Sequence, residues 1–402
     1  MNISSEISPA ASKSDAAQFC AYLEDDDSRA VVEQVVRDLV IPHATVARGS
    51  IRTAIKALGQ RRSPKTLIVD VCKCQLPLSD INELAEVCEP GVNVIAIGDR
   101  NDVGLFRELL NSGVSDYLVK PITATLVQRA LLATADGDSR NRQTSRLGRL
   151  VATVGARGGV GATMVATSMA WSIANRRRRR VALLDLDLQF GSVALSLDLE
   201  PTHGLREALE NAGRIDGLYL ERSMVQHSES LFVLSSEEEL SESMPDDPAA
   251  INALIAELRN KFHYVIVDLP KALLPTASQV LKDATHLITV TDLSLAGMRD
   301  TLRLVQFVLQ GNAACQVTIV ANRVGEYREG EIAVSEFEKA IGRSVDLKIH
   351  FDPKSVASAM NIGKPVCSQS KTVGDSIELL IDTISGAVHT QKTSLLTRLW
   401  GR

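Results

Sequence analysis

Residues 151–163 constrain this chain more than any other stretch. They read Val-Ala-Thr-Val-Gly-Ala-Arg-Gly-Gly-Val-Gly-Ala-Thr. The apolar start predicts a buried strand, the glycines a loop, and the apolar pattern over 164–174 a helix. Strand, glycine loop and helix together aim backbone N–H groups and a helix N-terminus at an anion. A complete phosphate loop has the form Gly-x-x-x-x-Gly-Lys-Ser/Thr. Here Gly155 or Gly158 can open it, Gly161 closes it, and Thr163 can hold a magnesium ion. The lysine position is occupied by Ala162.

Short buried strands alternate with helical patterns on both sides of this loop. After it come strands at 181–184, 231–234, 264–267, 287–290 and 317–320. Asp185 and Asp187 follow the first of these, Asp268-Leu269-Pro270 the third, and Asn322-Arg323 the last. Ligands bind at that edge of an open parallel sheet. Before the loop, strands are expected at 19–23, 66–69, 92–97 and 117–119. Glu24 and Asp25 lie beyond the first, Asp70 beyond the second and Lys120-Pro121 beyond the last. The expected fold is α/β, with two doubly wound parallel-sheet domains. The expected division is a disordered stretch 1–15, a first domain 16–132, a polar linker 133–148, a second domain 149–386 and a tail 387–402.

Composition narrows the functional classes. With 45% hydrophobic residues in 402, two domains with real cores are affordable. A net charge of −5 gives no global basic footprint for nucleic acid, and 4% aromatics argue against base stacking. Six scattered cysteines read as reduced core thiols of a cytosolic protein; Cys72-Lys73-Cys74 lacks a matching second pair for a metal. No signal-peptide core or membrane-length apolar run is visible. The five arginines at 176–180 read as cations at a helix C-terminus, with a patch for DNA or acidic lipid as the alternative. The acidic run 237–239 reads as a solvated loop or a helix start.

The first domain resembles a response-regulator receiver. The resemblance implies that Asp25 and Asp70 could hold magnesium, that Asp70 is the phosphorylation position, and that Lys120 contacts the phosphoryl group. Gly98 stands where that family has a Ser/Thr switch, which implies a domain used for docking or dimerisation. The second half, with Arg157-Gly158-Gly159-Val160-Gly161-Ala162-Thr163-Met164, Asp185-x-Asp187 and Asp268-Leu269-Pro270, resembles the ParA/MinD family of deviant phosphate-loop ATPases. That resemblance implies ATP in the loop and Mg2+ on Thr163 and Asp268. It also implies water positioning by Asp187, adenine recognition by Asn322 with Arg323 beside it, and a cross-dimer contact from Arg157.

The two domains in this order, with the lysine missing, are similar to the TadZ/CpaE family. The resemblance implies a cytoplasmic homodimer at a cell pole or on the inner face of the inner membrane. Its partners would be the secretion ATPase of Flp-type (Tad) pili and polar landmark proteins. Loss of the lysine implies weak or absent hydrolysis. An active ATPase cycling on membrane or DNA is the competing expectation. In the tail, Leu395, Leu396, Leu399 and Trp400 fall on one helical face. That face suits either a peripheral membrane contact or packing against protein.

Overall fold

The computed structural model describes residues 18–135, 147–211, 213, 215–241, 247–327 and 329–385. The expectations for 1–15 and 387–402, and most of the linker, lie outside the described residues. The chain forms two compact units, divided between Leu147 and Gly148.

In the first unit β1 (Phe19–Leu23), β2 (Ala44–Arg48), β3 (Thr66–Asp70), β4 (Asn93–Gly98) and β5 (Asp116–Val119) alternate with helices. These are α1 (Asp26–Asp38), α2 (Ile51–Leu58), α3 (Pro77–Val87), α4 (Val103–Asn111) and α5 (Ala124–Ala135). The sheet order is β2-β1-β3-β4-β5, all parallel. Order reverses between β1 and β3, so the crevice at the strand C-termini opens there. Strands covered on both faces are apolar throughout, as in Leu67, Ile68 and Val69, all fully buried. Asp25 caps α1, accepting from the Ser28 N–H at 2.6 Å.

The second unit opens with β6 (Arg149–Gly155), α6 (Ala162–Asn175), β7 (Val181–Asp185), α7 (Val193–Ser196), α8 (Gly204–Glu210), α9 (Gly217–Ser223), β8 (Val225–Gln226) and β9 (Leu231–Leu234). It continues through α10 (Pro248–Lys261), β10 (Tyr264–Asp268), a 3-10 turn (Lys271–Leu273), α11 (Ser278–Asp283), β11 (His286–Thr291), α12 (Leu295–Gly311) and β12 (Gln316–Val324). Then come α13 (Val334–Ile341), β13 (Leu347–His350), α14 (Pro353–Asn361), α15 (Val366–Gln369) and α16 (Lys371–Ser385). The sheet runs β13-β12-β11-β6-β10-β7-β9-β8. It is parallel except for β8, which pairs antiparallel with β9 at one edge.

Helix α6 is buried on nearly every side, with Val165, Ala166, Met169, Ala170 and Ile173 in a core shared with Ile377, Leu380 and Ile381 of α16. A helix buried all round carries almost no amphipathic signature. Its burial fixes the helix N-terminus, and with it the glycine loop, against the sheet.

Candidate functional site

Strand β6 sits between β10 and β11, so the loop it feeds emerges in the middle of the sheet's C-terminal edge. The Ala156 N–H donates to the Val290 carbonyl at 2.8 Å, extending the ladder into the loop. Gly161 caps α6 with φ +92 and ψ 29, a left-handed conformation that favours glycine. A Cβ there would stand 2.4 Å from Asn322 Nδ2. That amide donates to the Val160 carbonyl at 2.8 Å, so Asn322 braces the loop from β12. A Cβ on Gly158 or Gly159 would meet nothing within 4 Å; the loop backbone there borders open space. The space is a pocket of about 740 Å³.

Oxygen ligands line one wall. The Thr163 hydroxyl donates to Asp268 Oδ2 at 2.6 Å. Asp268 and Asp185 are register partners on adjacent strands, both buried. Burial pushes the Asp185 carboxyl up, and the Asp268 charge adds to it. Burial likewise raises Asp268, against the opposing Thr163 hydrogen bond. Asp185 accepts from the Asp187 and Val193 N–H groups, each at 3.1 Å, which shapes the turn carrying Asp187. Asp187 is half-buried and accepts the Phe190 N–H at 2.9 Å. Among the described residues no three His, Cys, Asp or Glu side chains gather into a metal cage. A hard cation at Thr163 and Asp268 would therefore complete its shell with phosphate and water oxygens.

The remaining expected residues line the same pocket. Arg157 reaches Asp292 Oδ2 and Ser294 Oγ, both at 3.4 Å. Arg323 adopts φ +58, and its Nη1 lies 3.7 Å from Glu326 Oε2. Ala162 and Met164 are partly buried against the core. Asn322 lines the pocket too, and one of its two amide N–H groups donates to the loop carbonyl. Phe190, Lys271, Phe351, Met360 and Lys364 also line it, and sequence reasoning missed them. Three of these come from beyond β13, a part of the chain with no recognisable motif. Lys271 directly follows the Asp-Leu-Pro run, a visible position whose reach was not.

In the first unit, Asp25, Asp70 and Lys120 do come together. The Lys120 ammonium donates to Asp70 Oδ2 at 2.5 Å and also bonds Asp25. Asp70 accepts further from the Glu24 N–H at 3.2 Å and the Cys72 N–H at 2.9 Å, and its side chain is fully buried. Glu24 is paired with Lys73. Burial pushes the Asp25 carboxyl up, but Lys120 and the Ser28 N–H outweigh it and hold it at about 2. Asp25 and Asp70, the two expected magnesium carboxylates, are thus joined through the Lys120 ammonium. At Gly98 a Cβ would lie 2.1 Å from the Tyr117 hydroxyl, which donates to the Arg100 carbonyl at 3.0 Å. The buried tyrosine fills the space a switch side chain would need.

Two surface expectations are resolved locally. Arg176 and Arg177 pair with Glu378, and Arg177 also with Asp382, so they pin α6 to α16. Arg180 lies over Phe232 and Phe262. Those arginines are structural cations. The 237–239 run is not wholly solvated: Glu238 is buried and paired with Arg206 at 3.2 Å, because the loop after β9 folds over α8.

The second unit is therefore a doubly wound phosphate-loop domain whose glycine loop, hydroxyl and two strand-end aspartates meet at one pocket. Comparison with known proteins narrows the likeness: in fold the unit is similar to ParA/MinD-type phosphate-loop proteins. Residues 148–317 match the family model described as "AAA domain". The septum site-determining protein MinD of Bacillus subtilis (strain 168) is 23% identical over 231 residues, 56% of this chain and 84% of that protein. A ParA family ATPase from Chlorobium tepidum TLS has the same fold, with TM-score 0.53 and 22% identity over 58% of this chain and 98% of that one. A pilus assembly protein CpaE from Caulobacter crescentus CB15 is 31% identical over 29% of this chain and 96% of that one, with TM-score 0.27.

Proposed function

We propose that this protein is a nucleotide-gated, dimeric spatial organiser that brings the assembly machinery of Flp/Tad-type pili to a cell pole, with weak or absent ATP hydrolysis. One observation carries the nucleotide reading. The open glycine loop and the 2.6 Å Thr163–Asp268 pair are kept intact around a loop whose lysine is Ala162. The cradle and the hard oxygen donors fit ATP with Mg2+. Gly158, Gly159, Val160 and Gly161 would wrap the phosphates, and Thr163 and Asp268 would hold the ion. Bound magnesium would offset phosphate charge. Asp187 would orient a water and Asn322 would keep the loop in shape. With Ala162 the chain lacks the usual cation on the phosphates, and phosphoryl transfer depends mainly on such stabilisation.

The positional role is supported by the septum-siting relative and by the resemblance of the domain order to TadZ/CpaE proteins. The first unit serves docking, since the Tyr117 hydroxyl fills the space beside Gly98 where a switch side chain would stand. Expected partners are a second copy, a pilus secretion ATPase and polar landmark proteins, in the cytoplasm. No helix among the described residues is long and apolar enough to cross a membrane. The competing reading, an ATPase cycling on membrane or DNA, is favoured by the intact Asp187 turn.

The test is an ATP titration, a turnover assay and sedimentation on one preparation of the full chain. Binding, ATP-dependent dimers and slow turnover are expected. Robust turnover abolished by Asp187→Ala would select the competing reading.

A further inference from the structure

We propose that Lys271 supplies the phosphate-binding cation that position 162 no longer carries. The inference rests on the nucleotide reading above and adds to it a residue outside the loop. Lys271 opens the 3-10 turn that follows Asp268-Leu269-Pro270. Its Nζ donates to the Ala156 carbonyl at 3.2 Å, and so touches the phosphate loop itself. The residue lines the same pocket as Ala162, Thr163 and Asp268.

Four lysine and arginine residues among the described ones line that pocket: Arg157, Lys271, Arg323 and Lys364. Arg157 turns its Nη1 toward Asp292 and Ser294, and Arg323 lies near Glu326. Lys364 comes from the turn between α14 and α15, beyond β13. Lys271 alone follows the strand that carries the magnesium-type aspartate.

The resting contacts of Lys271 are weak ones. A backbone carbonyl is a neutral acceptor, and Asp300 Oδ2 stands off at 3.6 Å while Oδ1 of the same carboxylate pairs with Arg299. Ammonium groups are compact charges on flexible stems with three donors. Phosphate oxygens, being ionised, outcompete a neutral carbonyl for such a donor. The side chain is half exposed and can swing without disturbing the core.

The experiment titrates the full chain with fluorescent mant-ATP and mant-AMP in the presence of Mg2+. Lys271→Met is expected to weaken mant-ATP on the order of tenfold, the scale of one charge-assisted contact. Binding of mant-AMP, which lacks the outer phosphates, should barely change. Lys271→Arg should retain most affinity. Ala162→Lys placed in the Lys271→Met background should restore it, and Asp300→Asn should tighten ATP by releasing Lys271. Equal mant-ATP affinity for wild type and Lys271→Met overturns the inference while leaving the nucleotide site standing. Equal losses for ATP and AMP, with no rescue by Ala162→Lys, also overturn it by marking a structural role. If wild type binds neither probe, the nucleotide reading falls, and this inference with it.

Discussion

Gly161→Ala tests whether the phosphate loop is held in shape by Asn322. The substitution places a Cβ at φ +92, which costs about 1–2 kcal/mol in the left-handed region. The same Cβ falls 2.4 Å from Asn322 Nδ2, so the amide must leave the Val160 carbonyl. A buried polar group left unpaired costs about 1–3 kcal/mol. The lower entropy of the unfolded chain returns about 0.4–1 kcal/mol. The net loss expected is about 3 kcal/mol, combining those terms. Gly159→Ala is the control: φ is +77, but its Cβ meets open space, so only strain applies, about 1 kcal/mol. Trp171 lies on α6 of the second unit, so its emission in urea, read in a Trp400→Phe background, follows that unit. Asn322→Ala should abolish most of the difference between the two glycine variants, because the clash then has no partner. Equal losses for Gly159→Ala and Gly161→Ala, or full additivity with Asn322→Ala, would refute the reasoning.

Three further outcomes are expected. Asp70→Asn should leave localisation and pilus assembly nearly normal, with no acid-labile phosphate on wild-type protein; loss of function matched by such phosphate would overturn the docking role. In Mg2+-free buffer the second unit should lose stability as pH rises. Free carboxyls titrate near about 4, the folded Asp185 and Asp268 titrate higher, and the unfolded chain therefore sheds protons first. A urea midpoint that is flat or rising from pH 4 to 7 would contradict this, and ATP with Mg2+ should reduce the slope. Arg157→Ala should weaken ATP-dependent dimerisation more than ATP binding, as read by sedimentation at saturating nucleotide; equal loss of both would place Arg157 on its own subunit's phosphates instead.

The site was legible where chemistry is local in sequence. Residues 155–163 announce a phosphate loop because the glycines, the hydroxyl and the helix start must be contiguous to wrap an anion. Strands covered on both faces were legible for a similar reason: β1, β3 and β10 carry apolar runs of three or more residues, and β11 is interrupted only by Thr289 between Leu287 and Val290. Edge strands were not. Ala44–Arg48 and Leu347–His350 expose one side, so their apolar signal is halved and short. Strand β8 has only two residues, Val225–Gln226.

The amino-acid sequence by itself determined the order of two α/β units, the glycine loop, the aspartates at the ends of β7 and β10, and the loss of the loop lysine. It did so because each of these is set by neighbours within a few residues. The tertiary structure alone decided what those groups touch. It tied one Asn322 amide N–H to the Val160 carbonyl, set Lys120 between Asp25 and Asp70, and turned Arg176 and Arg177 onto α16. It also brought Lys271 to the Ala156 carbonyl across 115 positions. Such contacts follow from parallel strands that meet only through crossovers, so the partners at one sheet edge lie far apart in the chain.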